Sequence, residues 1–318
     1  GWIFNNVLVV REVETGSPAD GIALPNDIIQ AVNGKTLGAE PLKTFGLEIE
    51  TAERTGKLSV QILRAGAKKQ LSIPIRKLGA FSKDWPFNCA KSRAIHIDAC
   101  EYLARIQNTD GTFDGKIHVG FALNGLTWLA SDDPKYLENA RRLAYGYRKY
   151  FDPEGTSTTN WGWGYMGMFM AEYYLKTGDR TILPICETIA DTLAQSQMPC
   201  GSWGHGPYPG LGYVQGGNLN NCGLVCWIAM VLIKETGAEV NETALAKATK
   251  FFSRFAFRGT VPYGDHRPEF GGGNGKNAIP GVCFTILGDK PKSEYFARMV
   301  TGSYRGRTGG HTGGFMGF

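Results

Sequence analysis

Residues that could serve as acids, bases or sugar contacts are concentrated in the glycine-rich second half of the chain. The candidate acids and bases are Asp110, Asp114, His118, His205, Asp265, His266 and His311. Carboxylates and imidazoles can donate or abstract the proton when a glycosidic bond is cleaved. Aromatic rings and amides can bind sugar faces and hydroxyl groups, and the candidates for this role are Trp161, Trp163, Trp203, Tyr213, Asn221 and Asn277. These residue types predict a site for a carbohydrate or a similar polar substrate.

Each candidate also has a purely structural interpretation, which the sequence leaves open. Asp110 and Asp114 flank a loop and could face a cavity together, but Asp110 also precedes Gly111, as aspartate does in many tight turns. Trp161 and Trp163 could fill a core instead of binding a substrate. The asparagines could cap helices, for which asparagine is among the best residues.

Metal binding and nucleophilic catalysis have weak support. The seven cysteines lie mostly in helical patterns, which favours buried free thiols over disulfides. Cys222 and Cys226, four residues apart, could share a metal or belong to the core, but no recognised zinc spacing joins them to Asp265, His266 or His311. A Gly-x-Ser-x-Gly elbow and a phosphate loop are both absent from the sequence. We therefore predict no metal and no cofactor.

The bulk composition is that of a soluble globular protein with two domains. The chain has 318 residues, a hydrophobic fraction of 42%, 43 glycines and a net charge of +5. Its basic residues are scattered, which argues against nucleic-acid binding. No apolar run is long enough to span a membrane. The chain starts at Gly1 without an initiator methionine, so we expect a trimmed or partial chain.

The first 78 residues predict a small β-rich domain. A β-branched run at 7–10, a strand at 28–32, the turn Asn33-Gly34, a short helix at 41–54 and two alternating strands around 58–62 and 71–75 follow one another. Strands with one helix at their side make a compact sandwich. Residues 79–87 form a linker, after which the hydrophobic period changes from two to 3.6.

The first domain resembles the PDZ domains attached to bacterial periplasmic proteases. The resemblance rests on Gly16-Ser17-Pro18-Ala19, Asn26-Asp27-Ile28-Ile29 and Val32-Asn33-Gly34. In that family an extended peptide adds a strand beside the helix, and backbone N–H groups hold its C-terminal carboxylate. The resemblance implies a peptide or protein C-terminus as the partner and a periplasmic or secreted location. The carboxylate loop normally precedes the residues that match 1–4, so a packed spacer is the alternative role.

Residues 88–318 predict an all-α domain of paired helices. The periodic segments lie near 89–107, 118–131, 134–150, 162–176, 180–197, 220–236, 242–257, 277–287 and 292–303. Ala99-x-x-Tyr-Leu-x-x-x-Gln107-x-x-x-Gly111-x-Phe113 and Leu193-x-x-x-Gln197-x-x-x-Gly201-x-Trp203 share their spacing, and a degraded third copy ends at Gly259. A glutamine at a helix end can bind orphan backbone groups. This pattern resembles the Gln-Trp repeat of squalene and oxidosqualene cyclases, which implies an α/α toroid.

A second repeat precedes the alternate helices. It comprises His118-Val-Gly120, Asn160-Trp-Gly162, Asn221-Cys-Gly223, Asn277-Ala and His311-Thr-Gly313. In the toroid family these helix ends point toward the central cavity. Histidine is not a preferred cap, which favours a functional role for His118 and His311. Only five residues follow the last copy, so we expect the ring to be incomplete at its C-terminus.

The toroid resemblance brings several chemistries to compare. Terpene cyclisation initiated by acid requires an Asp-x-Asp-Asp motif, which this sequence lacks. Polysaccharide lyases and glycosidases also use α/α rings, and the polar loops here fit them better, so a hydrolase or lyase is favoured if the protein is an enzyme. The combination with a PDZ-type module resembles an uncharacterised group of bacterial proteins. The alternative is a non-enzymatic scaffold in which both domains recognise peptides.

Overall fold

The computed structural model describes residues 7–85, 87–114, 118–147, 159–210, 217–264 and 276–302. Within these residues the fold consists of a small antiparallel β-sheet followed by many α-helices, as the sequence predicts. The chain divides into two compact units, 1–98 and 99–318. The first unit therefore includes the predicted linker and the start of the first helix beyond it.

The first unit contains a sheet of five described strands and one helix at its side. The strands are β1 (Leu8–Val9), β2 (Ile28–Val32), β3 (Lys35–Thr36), β4 (Lys57–Arg64) and β5 (Ala67–Pro74), and helix α1 is Pro41–Thr55. All strand pairs are antiparallel, in the order β1-β2-β4-β5 with β3 paired to β2. Ile29, Val32, Leu58, Val60 and Ile62 form the core of this unit.

Two tight turns set the strand register. Val32 pairs with Lys35 across Asn33 and Gly34, whose φ angles are 48° and 81°. Glycine and asparagine tolerate this left-handed region, so the predicted Asn-Gly turn is confirmed. The second hairpin, β4–β5, turns at Gly66, whose φ angle is 80°.

Buried polar contacts join strand β4 to Asp27 and, through Asn33, to helix α1. Asp27, at 1% exposure, accepts hydrogen bonds from Arg64 Nε at 2.6 Å and Arg64 Nη2 at 2.7 Å. The bidentate pair with Arg64 lowers the pKa of the Asp27 carboxyl despite its burial. Asn33 also donates from its amide to the Glu48 carbonyl at 3.1 Å and accepts from Ser59 N at 3.0 Å. The turn residue therefore also joins helix α1 to strand β4.

The helical segments match the predicted positions within a few residues. They are α2 (Ala90–Ile106), α3 (His118–Leu129), α4 (Pro134–Tyr147), α5 (Asn160–Thr177), α6 (Leu183–Gln195), α7 (Asn220–Glu235), α8 (Glu242–Ser253), α9 (Ala278–Ile286) and α10 (Lys290–Gly302). A 3-10 turn at Arg180–Ile182 precedes α6. Helix α4 begins at Pro134, where a missing N–H costs nothing.

In the second unit, helices alternate between two layers. The inner layer consists of helices α3, α5, α7 and α9, which pack against one another in chain order. The outer layer consists of α4, α6, α8 and α10, each of which packs against the helix that precedes it. Every residue of α7 from Asn220 to Ile233 is buried, as expected for a helix that is apolar on all sides. At Gly164 a Cβ atom would lie 2.8 Å from Val225 Cγ1, so α5 and α7 approach closely.

The cysteines are free thiols, as predicted, and Cys200 is the exposed exception among Cys89, Cys100, Cys186, Cys200, Cys222, Cys226 and Cys283. Burial raises the pKa of Cys186 to about 12. Cys226 lies in the core and approaches the Asn160 carbonyl at 3.4 Å. Among the described residues no group of His, Cys, Asp and Glu side chains is arranged to hold a metal ion. Cys222 and Cys226 are both 0% exposed in α7, and this burial supports the core interpretation of the pair.

Cys89 differs from the other buried cysteines because backbone N–H groups surround its sulfur. Its sulfur lies 3.4 Å from Ser82 N and 3.5 Å from Ser92 N, directly before α2. Hydrogen bonding, chiefly from Ser92, lowers the pKa of this thiol from 9.0 to about 7.

A thiol with a lowered folded-state pKa makes stability depend on pH. The unfolded state binds the proton more tightly, so the contribution of Cys89 is complete above pH 9 and is lost as pH falls through about 7. We expect urea unfolding of the first unit to require more denaturant at pH 9 than at pH 7, by an increment that Cys89→Ala removes. An equal increment in both proteins would contradict the assigned pKa.

Candidate functional site

Two glutamines attach their loops to the outer helices. Gln107 Nε2 donates to the carbonyl groups of Gly111 at 2.9 Å and Asn139 at 3.0 Å. Gln197 Nε2 makes the same pair of bonds in the next repeat, to Gly201 at 3.1 Å and Ala244 at 2.9 Å. The predicted repeat therefore has one recurring geometry, in which each amide satisfies a loop carbonyl and a helix carbonyl together.

In the third copy of this repeat, a tyrosine instead of a glutamine binds the loop glycine. The position equivalent to the glutamine is Phe255, four residues before Gly259. The Tyr295 hydroxyl accepts from Gly259 N at 2.8 Å and donates to Gly259 O at 2.9 Å. A tyrosine from α10 thus replaces the missing amide.

Two asparagines bind the loops that lead into the next inner helix. Asn160, the first residue of α5, donates from its side chain to the carbonyls of Gly204 at 3.2 Å and Gly206 at 2.7 Å. Its backbone N–H donates to the intervening carbonyl, that of His205, at 2.9 Å. The loop is therefore held by three consecutive carbonyl groups.

Asn220 repeats this arrangement one step along the chain. It is the first residue of α7, and its amide donates to Pro262 O at 2.9 Å and Gly264 O at 2.8 Å. Its backbone N–H donates to Tyr263 O at 3.0 Å. His205 and Tyr263 consequently occupy equivalent positions, each fixed by an asparagine at the start of an inner helix.

His205 and Trp161 form the clearest polar site at these helix ends. Trp161 Nε1 donates to His205 Nδ1 at 3.0 Å, and both side chains are partly exposed. Because Nδ1 accepts this hydrogen bond, the neutral imidazole carries its proton on Nε2. The imidazole is thus oriented to donate from Nε2, or to act as a general acid when it is protonated.

A buried lysine lies in the equivalent part of the next repeat. Lys276 is 1% exposed, and its ammonium nitrogen lies 5.7 Å from the centroid of the Tyr263 ring. Burial lowers the pKa of Lys276 to about 8. At a pH near 8 such an amine is partly neutral, and a neutral amine can act as a base or a nucleophile.

The predicted carboxylate pair is engaged in local turn contacts. Asp110 Oδ1 accepts from Thr112 N at 3.0 Å and from Thr112 Oγ1 at 2.6 Å. Asp114 Oδ1 accepts from Asn108 Nδ2 at 3.1 Å. Both side chains are exposed. This geometry supports the turn interpretation of Asp110, and a catalytic role for the pair stays a prediction.

Several predicted substrate contacts are core residues in this structure. Trp203 is 0% exposed and donates from Nε1 to Leu193 O at 2.8 Å, and Trp163 is 4% exposed. Asn277 is buried and accepts from Val261 N at 3.1 Å. These rings and amides present no open face to a ligand, because neighbouring elements cover them. Of the predicted aromatic contacts within the described residues, Trp161 is the one that remains partly exposed.

The alignment of the asparagine repeat also requires a correction. The predicted pattern paired Asn160 with Asn221, whereas the structure places Asn220 at the position equivalent to Asn160. Asn221 is fully buried one residue further along. The sequence signal that could have identified Asn220 is its separation from the next glycine loop. Gly206 follows Asn160, and Gly264 follows Asn220, at similar separations along the chain.

The remaining predicted residues cannot be placed in a site. Tyr213, Asp265, His266 and His311 lie outside the described residues. His118 is the first residue of α3, and only its backbone is described. Convergence of the histidines on one pocket therefore stays a prediction.

The first unit contains a separate apolar groove. It has a volume of about 200 Å³, and its lining is apolar except for Glu12, Glu14 and Ser17. The apolar lining residues are Val10, Val13, Ala19, Ala23, Ile29, Phe45, Val60, Ile62, Leu71 and Ile73. Strand β1 pairs with β2 along one edge, and no described strand pairs with its other edge. Val7 and Val9 are half exposed beside this edge.

These observations define a class of protein: a helical-repeat unit braced by glutamine and asparagine side chains, preceded by a small antiparallel β unit. The chain belongs to the family described as "Domain of unknown function (DUF6288)", which matches residues 92–318. Comparisons with curated proteins and with solved structures find no match. In the described part of the chain no helix has the length and apolarity needed to cross a membrane.

Proposed function

We propose that the first unit is a PDZ-like domain that binds an extended peptide or a protein C-terminus. The observation that carries the proposal is the apolar groove beside the edge of β1 with which no described strand pairs. An added strand would pair with the backbone of β1, while one of its side chains enters the groove next to Phe45. The PDZ-type motifs support the same role and a periplasmic or secreted location.

Phe45→Asp tests this proposal, because a carboxylate in the groove opposes entry of an apolar side chain. We expect the dissociation constant of a fluorescent peptide with an aliphatic C-terminus to rise by about tenfold or more. Leu42→Asp is the matched control, since Leu42 is 75% exposed on the same helix and does not line the groove. Circular dichroism of both variants checks that the unit is folded.

Two outcomes would overturn the peptide-binding proposal. One is the absence of measurable binding by the intact chain across a library of C-terminal peptides. The other is equal weakening by Phe45→Asp and Leu42→Asp, which would place the peptide outside the groove. The same peptide with an amidated C-terminus tests whether the carboxylate is recognised.

We further propose that the second unit is an α/α toroid that holds a polar substrate, such as a carbohydrate, at the ends of its inner helices. The supporting observation is the hydrogen-bonded pair Trp161–His205, which combines a partly exposed aromatic ring with an oriented imidazole. The two-layered helix packing and the recurring amide braces support the toroid. If this site is catalytic, a hydrolase or lyase fits its polar groups, and a scaffold without enzymatic activity is the alternative.

The orientation of His205 provides a test that does not require the substrate. With the imidazole neutral, we expect ring nitrogen NMR shifts to show a proton on Nε2 of His205, because Trp161 donates to Nδ1. Trp161→Phe removes that donor and should shift the population toward the other tautomer. An unchanged tautomer in this variant would show that Trp161 does not orient the ring.

Oligosaccharide binding or cleavage provides the functional arm of the test. Activity or binding that His205→Ala and Trp161→Ala both abolish, and that His96→Ala retains, would support the site. If His205→Ala and Trp161→Ala both kept full oligosaccharide binding or cleavage, the Trp161–His205 pair would not be the substrate site.

A further inference from the structure

A second cavity lies on the outer layer of the helical unit and takes no part in either proposed site. It is an open cavity of about 570 Å³ between the end of α6, the loop that follows it and the start of α8. Its polar and aromatic lining comprises Gln197, Tyr208, Asn241, Thr243 and Lys247. A volume of this order is typical of small-molecule sites.

The first repeat provides an internal comparison for this cavity. Gly111 approaches the carbonyl of Arg142, and Gly201 approaches the carbonyl of Lys247, so the two basic residues occupy equivalent positions. Arg142 Nη2 donates to the loop carbonyls of Asn108 at 2.8 Å and Thr109 at 3.3 Å. The cation of the first repeat is therefore engaged by its own loop.

Lys247 makes no such contact. Among the described residues nothing pairs with its ammonium group, and its side chain is exposed at the cavity wall. None of the described residues that line the cavity is an aspartate or a glutamate. An unopposed cation with polar neighbours favours an anionic ligand.

The other side chains that line the cavity indicate which groups, besides an anion, its ligand carries. The Tyr208 side chain is 48% exposed, so its ring can pack against the apolar face of a pyranose. The Gln197 amide nitrogen is held by Gly201 O and Ala244 O, and its amide oxygen remains an acceptor. Asn241 uses its oxygen to cap α8 at Ala244 N, which leaves its amide N–H groups as donors. Amides beside an aromatic ring suit a ligand that carries several hydroxyl groups.

We propose that this cavity binds an acidic saccharide, whose sugar ring packs on Tyr208 and whose carboxylate pairs with Lys247. Hydroxyl groups of the sugar bond to Gln197, Asn241 and Thr243. The site shares no residue with the peptide groove or with the Trp161–His205 pair, so it stands or falls independently of both.

Calorimetric titration of the full chain with a galacturonate trisaccharide tests the proposal. We expect binding that weakens at high salt, because an exposed ion pair is screened. Lys247→Gln should weaken binding by about fivefold, the range of an exposed ion pair, and Tyr208→Ala should weaken it further. Lys250→Gln is the matched control, because Lys250 lies on the same helix and does not line the cavity.

Neutral maltotriose and inorganic phosphate separate the two parts of the ligand. Maltotriose lacks the carboxylate, so we expect it to bind more weakly and to be insensitive to Lys247→Gln. Phosphate lacks the sugar ring, so its binding should be insensitive to Tyr208→Ala. Phosphate that binds as tightly as the trisaccharide would overturn the assignment to a saccharide.

Three further results would overturn the proposal. They are the absence of binding heat with the trisaccharide, equal affinities in Lys247→Gln and Lys250→Gln, and loss of binding in His205→Ala with retention in Lys247→Gln. The last result would show that the trisaccharide binds at the ends of the inner helices and not in this cavity. It would therefore contradict the cavity proposal while supporting the proposed substrate site.

Discussion

Gly111→Ala is expected to lower the free energy of unfolding of the helical unit by about 4 kcal/mol or more. A Cβ atom at this position would overlap the backbone carbonyl of Arg142, which a side-chain rotation cannot move aside. The backbone φ of Gly111 is 87°, in the left-handed region that other residues rarely adopt. Denaturant unfolding followed by tryptophan fluorescence measures the loss.

Gly178→Ala separates the steric overlap from the backbone conformation. Gly178 ends α5 with a φ of 69°, and a Cβ there would meet no atom within 4 Å. We expect a loss of about 1 kcal/mol, the cost of the left-handed conformation alone. Similar losses in the two variants would mean that the loop moves away from α4 and that the close approach does not constrain the repeat.

Asn220→Asp is expected to destabilise the helical unit by about 3–5 kcal/mol. The Asn220 amide is 0% exposed and donates to the carbonyls of Pro262 and Gly264. Aspartate has the same shape, but its carboxylate cannot donate and would face two carbonyl oxygens. The loss of both hydrogen bonds opposes folding, as does a buried charge that keeps one amide donor, Asn218 Nδ2, 2.7 Å from Oδ1 in the original chain. Thermal and denaturant unfolding measure the change.

Asn241→Asp is the matched control for this substitution. Asn241 caps α8 by accepting from Ala244 N at 3.0 Å, and an aspartate oxygen can accept the same bond. We expect its stability to stay within about 0.5 kcal/mol of the original chain, or to rise slightly because a negative charge favours a helix N-terminus. Equal effects at positions 220 and 241 would contradict the role of Asn220 as an amide donor.

The helices and hairpins were predictable because local chemistry decides them. Pro134 and Gly178 mark the start and the end of helices through properties of single residues. Asn33-Gly34 favours a two-residue turn wherever it occurs between strands. The glutamine spacing was also visible, because Gln107 and Gln197 each bond to a glycine carbonyl only four residues away.

The candidate site was less predictable because its contacts join distant parts of the chain. Trp161 and Trp203 have the same side chain, yet one is partly exposed and the other is fully buried. Tyr295 replaces a glutamine across a separation of 36 residues, which no local pattern reveals. Lys276 is recognisable as a perturbed amine only once its burial is known.

By itself, the sequence determined the order of strands and helices, the positions of their turns and the two amide-braced loops, since each depends on residues close together in the chain. Only the tertiary structure decided which polar residues remain accessible. Burial and partnership depend on the packing of neighbouring helices, so Asn220 became a structural clamp while His205, Tyr208 and Lys247 remained exposed enough to meet a ligand.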